Sequence, residues 1–181
     1  MTERRRVLTG TARAAIANRL GEAFNAPEIP DDPWYRDDGA SFVTLHLHGS
    51  LRGCIGTLTA HRPLIEDVHD NALSAAFKDP RFPPLSRSEF PDIHIEVSVL
   101  TAPEKLTFDD EADALAKLRP GIDGIIFSCG QHKATFLPQV WEQLPTPEYF
   151  MAHLKQKAGL PAAFWSEEVR LERYRVEEFP E

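Results

Sequence analysis

Apolar residues at Ala12, Ile16, Leu20 and Phe24 recur every fourth position, so residues 9 to 25 predict an amphipathic helix preceded by threonines suited to capping. Pro27, Pro30 and Pro33 among acidic residues predict a crossing loop over 26 to 40. Two runs rich in β-formers follow, 42 to 48 and 51 to 58, separated by Gly49-Ser50, a pair that suits a tight hairpin. Pro63 then opens a second helix whose stripe is Leu64, Ile65, Val68, Ala72, Ala75 and Ala76, and Asp79-Pro80 ends it. The segment 79 to 85 carries three prolines and predicts a stiff loop, and Ser86 with Glu89 has capping-box spacing for a short helical turn closed by Pro91. Ile93, Ile95, Val97 and Val99 alternate with His94, Glu96 and Ser98, which predicts a strand with one buried face.

The second half reads less regularly. Asp109 and Asp110 precede a short helix that Pro120-Gly121 stops, residues 125 to 127 and 134 to 137 predict two strands around a turn near Gly130, and 138 to 143 predicts a helical turn. Thr146-Pro147 opens another helix with Phe150, Leu154 and Ala158 inward, ended by Gly159. From Val169 and Leu171 to Tyr174 and Val176 the alternation slips by one residue, which predicts a bulge in a terminal strand. Hairpin strands with interspersed helices argue for an α+β fold, mostly antiparallel sheet flanked by helices, and against repeated βαβ units.

Composition narrows the class. The chain has 181 residues, 42% hydrophobic and 27% charged, enough for one sizeable core or a core with a smaller lobe, and no apolar run approaches a membrane span. With no secretory h-region and two distant cysteines, Cys54 and Cys129, the expectation is a soluble protein of the reducing cytoplasm. Twenty basic against 28 acidic residues give a net charge of −8, which argues against polyanion binding. The Arg4 to Arg6 run reads as a solvated terminus.

Candidate chemistry concentrates in Leu51-Arg52-Gly53-Cys54-Ile55-Gly56, a thiol and a guanidinium two residues apart between glycines. In a regular strand, positions i and i+2 share a face about 6 to 7 Å apart, so Arg52 would favour the thiolate of Cys54, while Gly53 and Gly56 would let a ligand or another backbone come close. The hairpin register decides the thiol's neighbour. A two-residue loop at Gly49-Ser50 sets Cys54 opposite Leu45 in a core environment, whereas a three-residue loop from Gly49 to Leu51 sets it opposite His46, a candidate base, with Arg52 opposite His48. Glycine-first pairs favour the shorter loop. A metal site using His46 and His48 with His94 or Glu96 is weighed and set aside, because two histidines in x-H-x-H spacing more often lie on a solvated strand face. Arg81, between prolines, reads either as a fixed guanidinium for a carboxylate or phosphate or as a salt bridge to Asp79. Glu96 reads as an exposed alternate position, Thr135 and Lys133 as lesser groove candidates, and Cys129 as packing.

Four motifs in order resemble the AMMECR-type domain family, whose prokaryotic members include protein A of the AmmeMemoRadiSam system. They are Leu51-Arg52-Gly53-Cys54-Ile55-Gly56-Thr57-Leu58, Asp79-Pro80-Arg81-Phe82-Pro83-Pro84-Leu85, Ile95-Glu96-Val97-Ser98-Val99-Leu100 and Ala134-Thr135-Phe136-Leu137-Pro138-Gln139-Val140-Trp141. The resemblance covers nearly the whole chain and implies one domain over 1 to 181, with two lobes and a groove between them near the Arg-Gly-Cys segment, the smaller lobe expected at about 57 to 95. It also implies a Memo-like protein and a radical S-adenosylmethionine protein as partners; the chain lacks the three cysteines of a radical enzyme, so no cofactor is assigned to it. The expected role is an accessory or ligand-binding subunit taking a small molecule in a groove lined by Arg52, Cys54 and Arg81. The alternatives are a cysteine-dependent enzyme using Cys54 and Arg52 as catalytic residues and, less favoured, a nucleic-acid-associated regulator.

Overall fold

The computed structural model describes residues 1 to 181, which divide into two compact units, Met1–Leu100 with Glu177–Glu181 and Thr101–Val176. Residues 57 to 95, expected as a separate smaller lobe, belong to the first unit because they contain a helix that packs on its sheet. The fold is α+β, and no helix is long and apolar enough to cross a membrane.

The first unit contains α1 (Glu3–Leu20), α2 (Pro33–Arg36), β1 (Ala40–Leu47), β2 (Ser50–Gly56), α3 (Leu64–Phe77), β3 (Ile93–Leu100) and β8 (Val176–Pro180), with sheet order β2-β1-β3-β8. Helix α1 starts six residues before the expected position, capped by the Thr2 hydroxyl, and ends at Gly21, whose φ of 73° is left-handed. Arg4 to Arg6 are therefore helical, with the Arg4 guanidinium 4.1 Å from the Trp34 ring centroid, and Phe24 lies beyond the helix and exposed. Within the expected loop, Asp32 caps and Pro33 starts α2, a turn that buries Tyr35. Val43 and Leu45 of β1 pair with Val97 and Ile95 of β3, and all four are fully buried in one core with Val7, Leu8, Ile16, Val68 and Ala72 from α1 and α3. Burial of such side chains at about 1.5 to 3 kcal/mol each is what fixes the register.

The α3 stripe is not wholly apolar. Asp67, fully buried, accepts from the Ser41 amide and hydroxyl, Thr57 Oγ1, Arg62 Nε and Asn71 Nδ2, all between 2.7 and 3.0 Å. Polar residues at i and i+4 inside an apolar stripe were the available sign of this closed network.

The second unit contains β4 (Glu104–Leu106), α4 (Glu111–Lys117), β5 (Gly124–Cys129), β6 (His132–Phe136), α5 (Pro147–Lys157) and β7 (Arg170–Tyr174), in sheet order β4-β7-β5-β6. Its core centres on Ile125, Phe127, Phe150, Met151 and Leu154, with Trp141 stacked on Phe150 at 3.8 Å. Cys129 packs there, as expected. The fully buried Lys155 donates to Glu111 at 2.7 Å and to the Ala162 carbonyl. The phase slip near Tyr174 is not a bulge within one strand: at Arg175 the chain leaves one sheet and β8 joins the other.

Candidate functional site

The β1–β2 hairpin turns on His48 and Gly49, with φ of 51° and 81°, and not on Gly49-Ser50. Two consecutive left-handed residues make a primed turn whose twist matches the strands, and glycine takes its second position. Leu47 then faces Ser50 and His46 faces Leu51, but the register shifts between Leu45 and His46, leaving Arg52 as the extra residue of a bulge. Beyond it Gly53 faces Leu45 and Cys54 faces Thr44, so neither register weighed from the sequence is the one adopted.

The bulge separates the two groups expected to act together. Arg52 is buried, donating from Nε and Nη2 to the Glu89 carboxylate at 2.8 and 3.2 Å and from Nη2 to the Pro83 carbonyl at 2.8 Å. Its Nη1 is buried without a partner. Glu89 also closes the capping box with Ser86, and its carboxyl is lowered to about 2, first by the Arg52 bond, against the opposing effect of burial. The guanidinium of Arg52 thus ties β2 to the 82–89 segment.

Arg81 instead is the cation at Cys54. Its Nε and Nη2 donate to the two oxygens of Asp79 at 3.0 and 2.7 Å, and Nη2 lies 3.4 Å from the Cys54 carbonyl oxygen. Asp79, only 4% exposed, also accepts the Cys54 amide at 3.0 Å and the Arg81 amide at 3.1 Å. These bonds, led by that from Arg81, hold its carboxyl far below the usual range although burial pushes the other way. The Arg81 guanidinium is raised above its ordinary value, first by its hydrogen bond to Asp79. Of the two expectations for Arg81, the salt bridge to Asp79 is present, with over half of the side chain still exposed.

Because β2 is an edge strand, the Cys54 amide turned toward Asp79 makes Cys54 and Thr44 a pair without mutual backbone bonds, the kind whose side chains stand closest. Cys54 Sγ accordingly lies 3.3 Å from Thr44 Oγ1, and the thiol is half-buried. Thr44 in turn faces Glu96 on β3, so thiol, hydroxyl and carboxylate form one row across three strands. His46, next along that face, is opposite His94 and makes no hydrogen bond to the thiol. His48 is in the turn, so the two histidines do not share a strand face, and no three His, Cys, Asp or Glu side chains are grouped to hold a metal.

Of the close approaches expected at the glycines, those of another backbone and of a ring are present. A Cβ on Gly53 would collide with the Ala75 carbonyl of α3, and one on Gly56 with the Phe42 ring. In the second unit Thr135 donates to the Ile125 carbonyl at 2.8 Å and meets the Tyr174 hydroxyl at 2.9 Å, while Lys133 is exposed on β6. Burial raises the Tyr174 phenol, opposed by its Thr135 bond. Sequence reasoning missed Thr44 and the grip of Asp79 on the Cys54 amide; a threonine among apolar β1 residues was the only sign of the former.

The sequence profile of the AMMECR1 family matches residues 9–179. A curated protein of Methanothermobacter thermautotrophicus is 40% identical, the match covering 97% of this chain and 93% of that protein. Protein MJ0810 of Methanocaldococcus jannaschii is 38% identical over 94% of this chain and 86% of its own. The crystal structure of an uncharacterised protein of Pyrococcus horikoshii superposes with a TM-score of 0.78 at 34% identity, covering 96% of this chain and 89% of that one.

Proposed function

Because the chain belongs to the AMMECR1 family, we propose that it is an accessory subunit that presents the Cys54 face of its first sheet to a ligand and acts with a Memo-like protein and a radical S-adenosylmethionine protein. One observation carries the binding role: Arg52 is turned to Glu89, Arg81 at the Cys54 backbone is engaged by Asp79, and the thiol's only side-chain hydrogen-bond partner is a hydroxyl. A nucleophilic cysteine needs a base or an unneutralised cation beside it. The partners follow from the family resemblance alone. The test is co-purification of the wild-type protein and Cys54→Ser with the two expected partners, with bound small molecules identified by mass spectrometry. Loss of a bound molecule with partners retained supports a ligand site at the thiol; no partner and no ligand with either protein removes the reading.

The second reading is a cysteine-dependent enzyme, favoured by the half-buried sulfur beside Thr44 and the proximity of Arg81. Rapid reaction of Cys54 with a thiol probe near pH 7 in folded protein supports it, and a rate no faster than that of a free alkyl thiol removes it.

A further inference from the structure

Five side chains on the face of the first sheet turned away from α1 and α3, four of them polar besides the thiol of Cys54, are left over by the packing. The helix-facing set is Val43, Leu45, Gly53, Ile95 and Val97, which leaves Cys54, Thr44 and Glu96 in one row and His46 with His94 in the next on the opposite face. Adjacent strands are about 4.8 Å apart, so Cys54 and Glu96 bracket Thr44 across about 10 Å, the span of a small molecule.

The charges around this row do not balance. Arg52 is neutralised by Glu89 and Arg81 by Asp79, whereas the half-buried Glu96 has no hydrogen-bond or ion-pair partner, and His46 and His94 likewise make no side-chain bond. A phosphate or carboxylate brought to Cys54 would meet Arg81 already paired and Glu96 repelling it. A cation would find in Glu96 an acceptor with no competitor, and the net charge of −8 attracts it from a distance.

We propose that the ligand of this face is a small molecule carrying an alkylammonium group, which pairs with Glu96 while its body lies over Thr44 toward the Cys54 sulfur. This rests on the reading of Cys54 as part of a ligand surface and adds the charge of what binds there.

The experiment uses the thiol as a reporter. Methanethiosulfonates carrying a trimethylammonium, a methyl or a sulfonate group each transfer their thioalkyl to the Cys54 thiolate and release methanesulfinate. Rates at Cys54 are followed by mass spectrometry with peptide mapping and divided by the rates with free 2-mercaptoethanol. The expected cationic-to-anionic ratio is about 3 to 10 at low ionic strength, falling toward one in 0.5 M salt. Glu96→Gln lowers it to the smaller preference that the net charge alone supplies, and Glu96→Asp preserves it. A normalised ratio at or below one, or a preference unchanged in Glu96→Gln, overturns the inference while leaving the ligand surface standing. If no reagent modifies Cys54 in folded protein, the ligand surface itself fails, and the inference with it.

Discussion

Asp79 accepts the backbone N–H of Cys54 at 3.0 Å, so a loop residue 25 positions downstream completes the hydrogen bonding of an edge strand. An edge strand otherwise presents unpaired amides to any passing chain, and the Asp79–Arg81 pair covers this one at the thiol. The same contact holds the main chain of Cys54 against a proline-stiffened segment.

Asp79→Ala removes the acceptor of four donor groups and leaves the Cys54 amide and Arg81 unpaired. The expected loss is about 3 kcal/mol, read as a lower urea midpoint. Asp79→Asn, which keeps one acceptor oxygen, loses less. Equal stability of Asp79→Ala and wild type would contradict the clamp.

Arg52→Lys keeps the charge but not the fork that meets both oxygens of Glu89 and the Pro83 carbonyl. It is expected to cost about 1 to 2 kcal/mol. A double-mutant cycle with Glu89→Gln should return a coupling of at least about 1 kcal/mol, and additive effects would show the pair to be idle.

Gly53→Ala places a methyl group in the Ala75 carbonyl of α3, where backbone must move on both sides. It should lose more than about 3 kcal/mol or fail to accumulate as folded protein. Gly121→Ala is the control: nothing lies near its added Cβ, and only its φ of 78° resists, so it should lose about 1 kcal/mol.

His48→Asn is expected to stabilise by a few tenths to about 1 kcal/mol, because asparagine takes the left-handed conformation at φ 51° more readily and forms the favoured Asn-Gly turn with Gly49. A lowered melting midpoint would argue against this turn.

Glu89 has a lowered folded-state carboxyl, so its contribution is fully present above the ordinary carboxylate range and is lost as pH falls toward about 2. Asp79 is lowered further still. Stability should be level from pH 7 to about 5 and decline below that, and Glu89→Gln should flatten part of the decline. A Glu89→Gln acid profile parallel to that of wild type would refute the assignment.

What the sequence made legible was whatever periodicity alone decides. The β3 alternation, the α3 and α5 starts and the antiparallel character all follow from local pattern, and the structure has them. The hairpin was misread because its register rests on where two positive-φ residues fall and on one bulge, and a single extra residue moves every later side chain to the other face. For the same reason the i, i+2 argument for Arg52 and Cys54 failed, since it assumes an unbroken pleat. The partners of Arg52 and Arg81 were half legible: Asp79 is two residues from Arg81, while Glu89 had already been assigned to a local cap and serves both roles.

The switch of the chain between sheets at Arg175 has a bearing on how the protein is made. Residues 101 to 176 form a complete body of their own before β8 emerges, whereas the sheet begun by β1 waits for its fourth strand, and for the Glu181 carboxylate that receives Arg13 at 2.7 Å, until the whole insert has been synthesised. The N-terminal unit, which carries Cys54, is thereby closed only after the insert has been made, and a chain cut before Val176 would lack the fourth strand of its sheet.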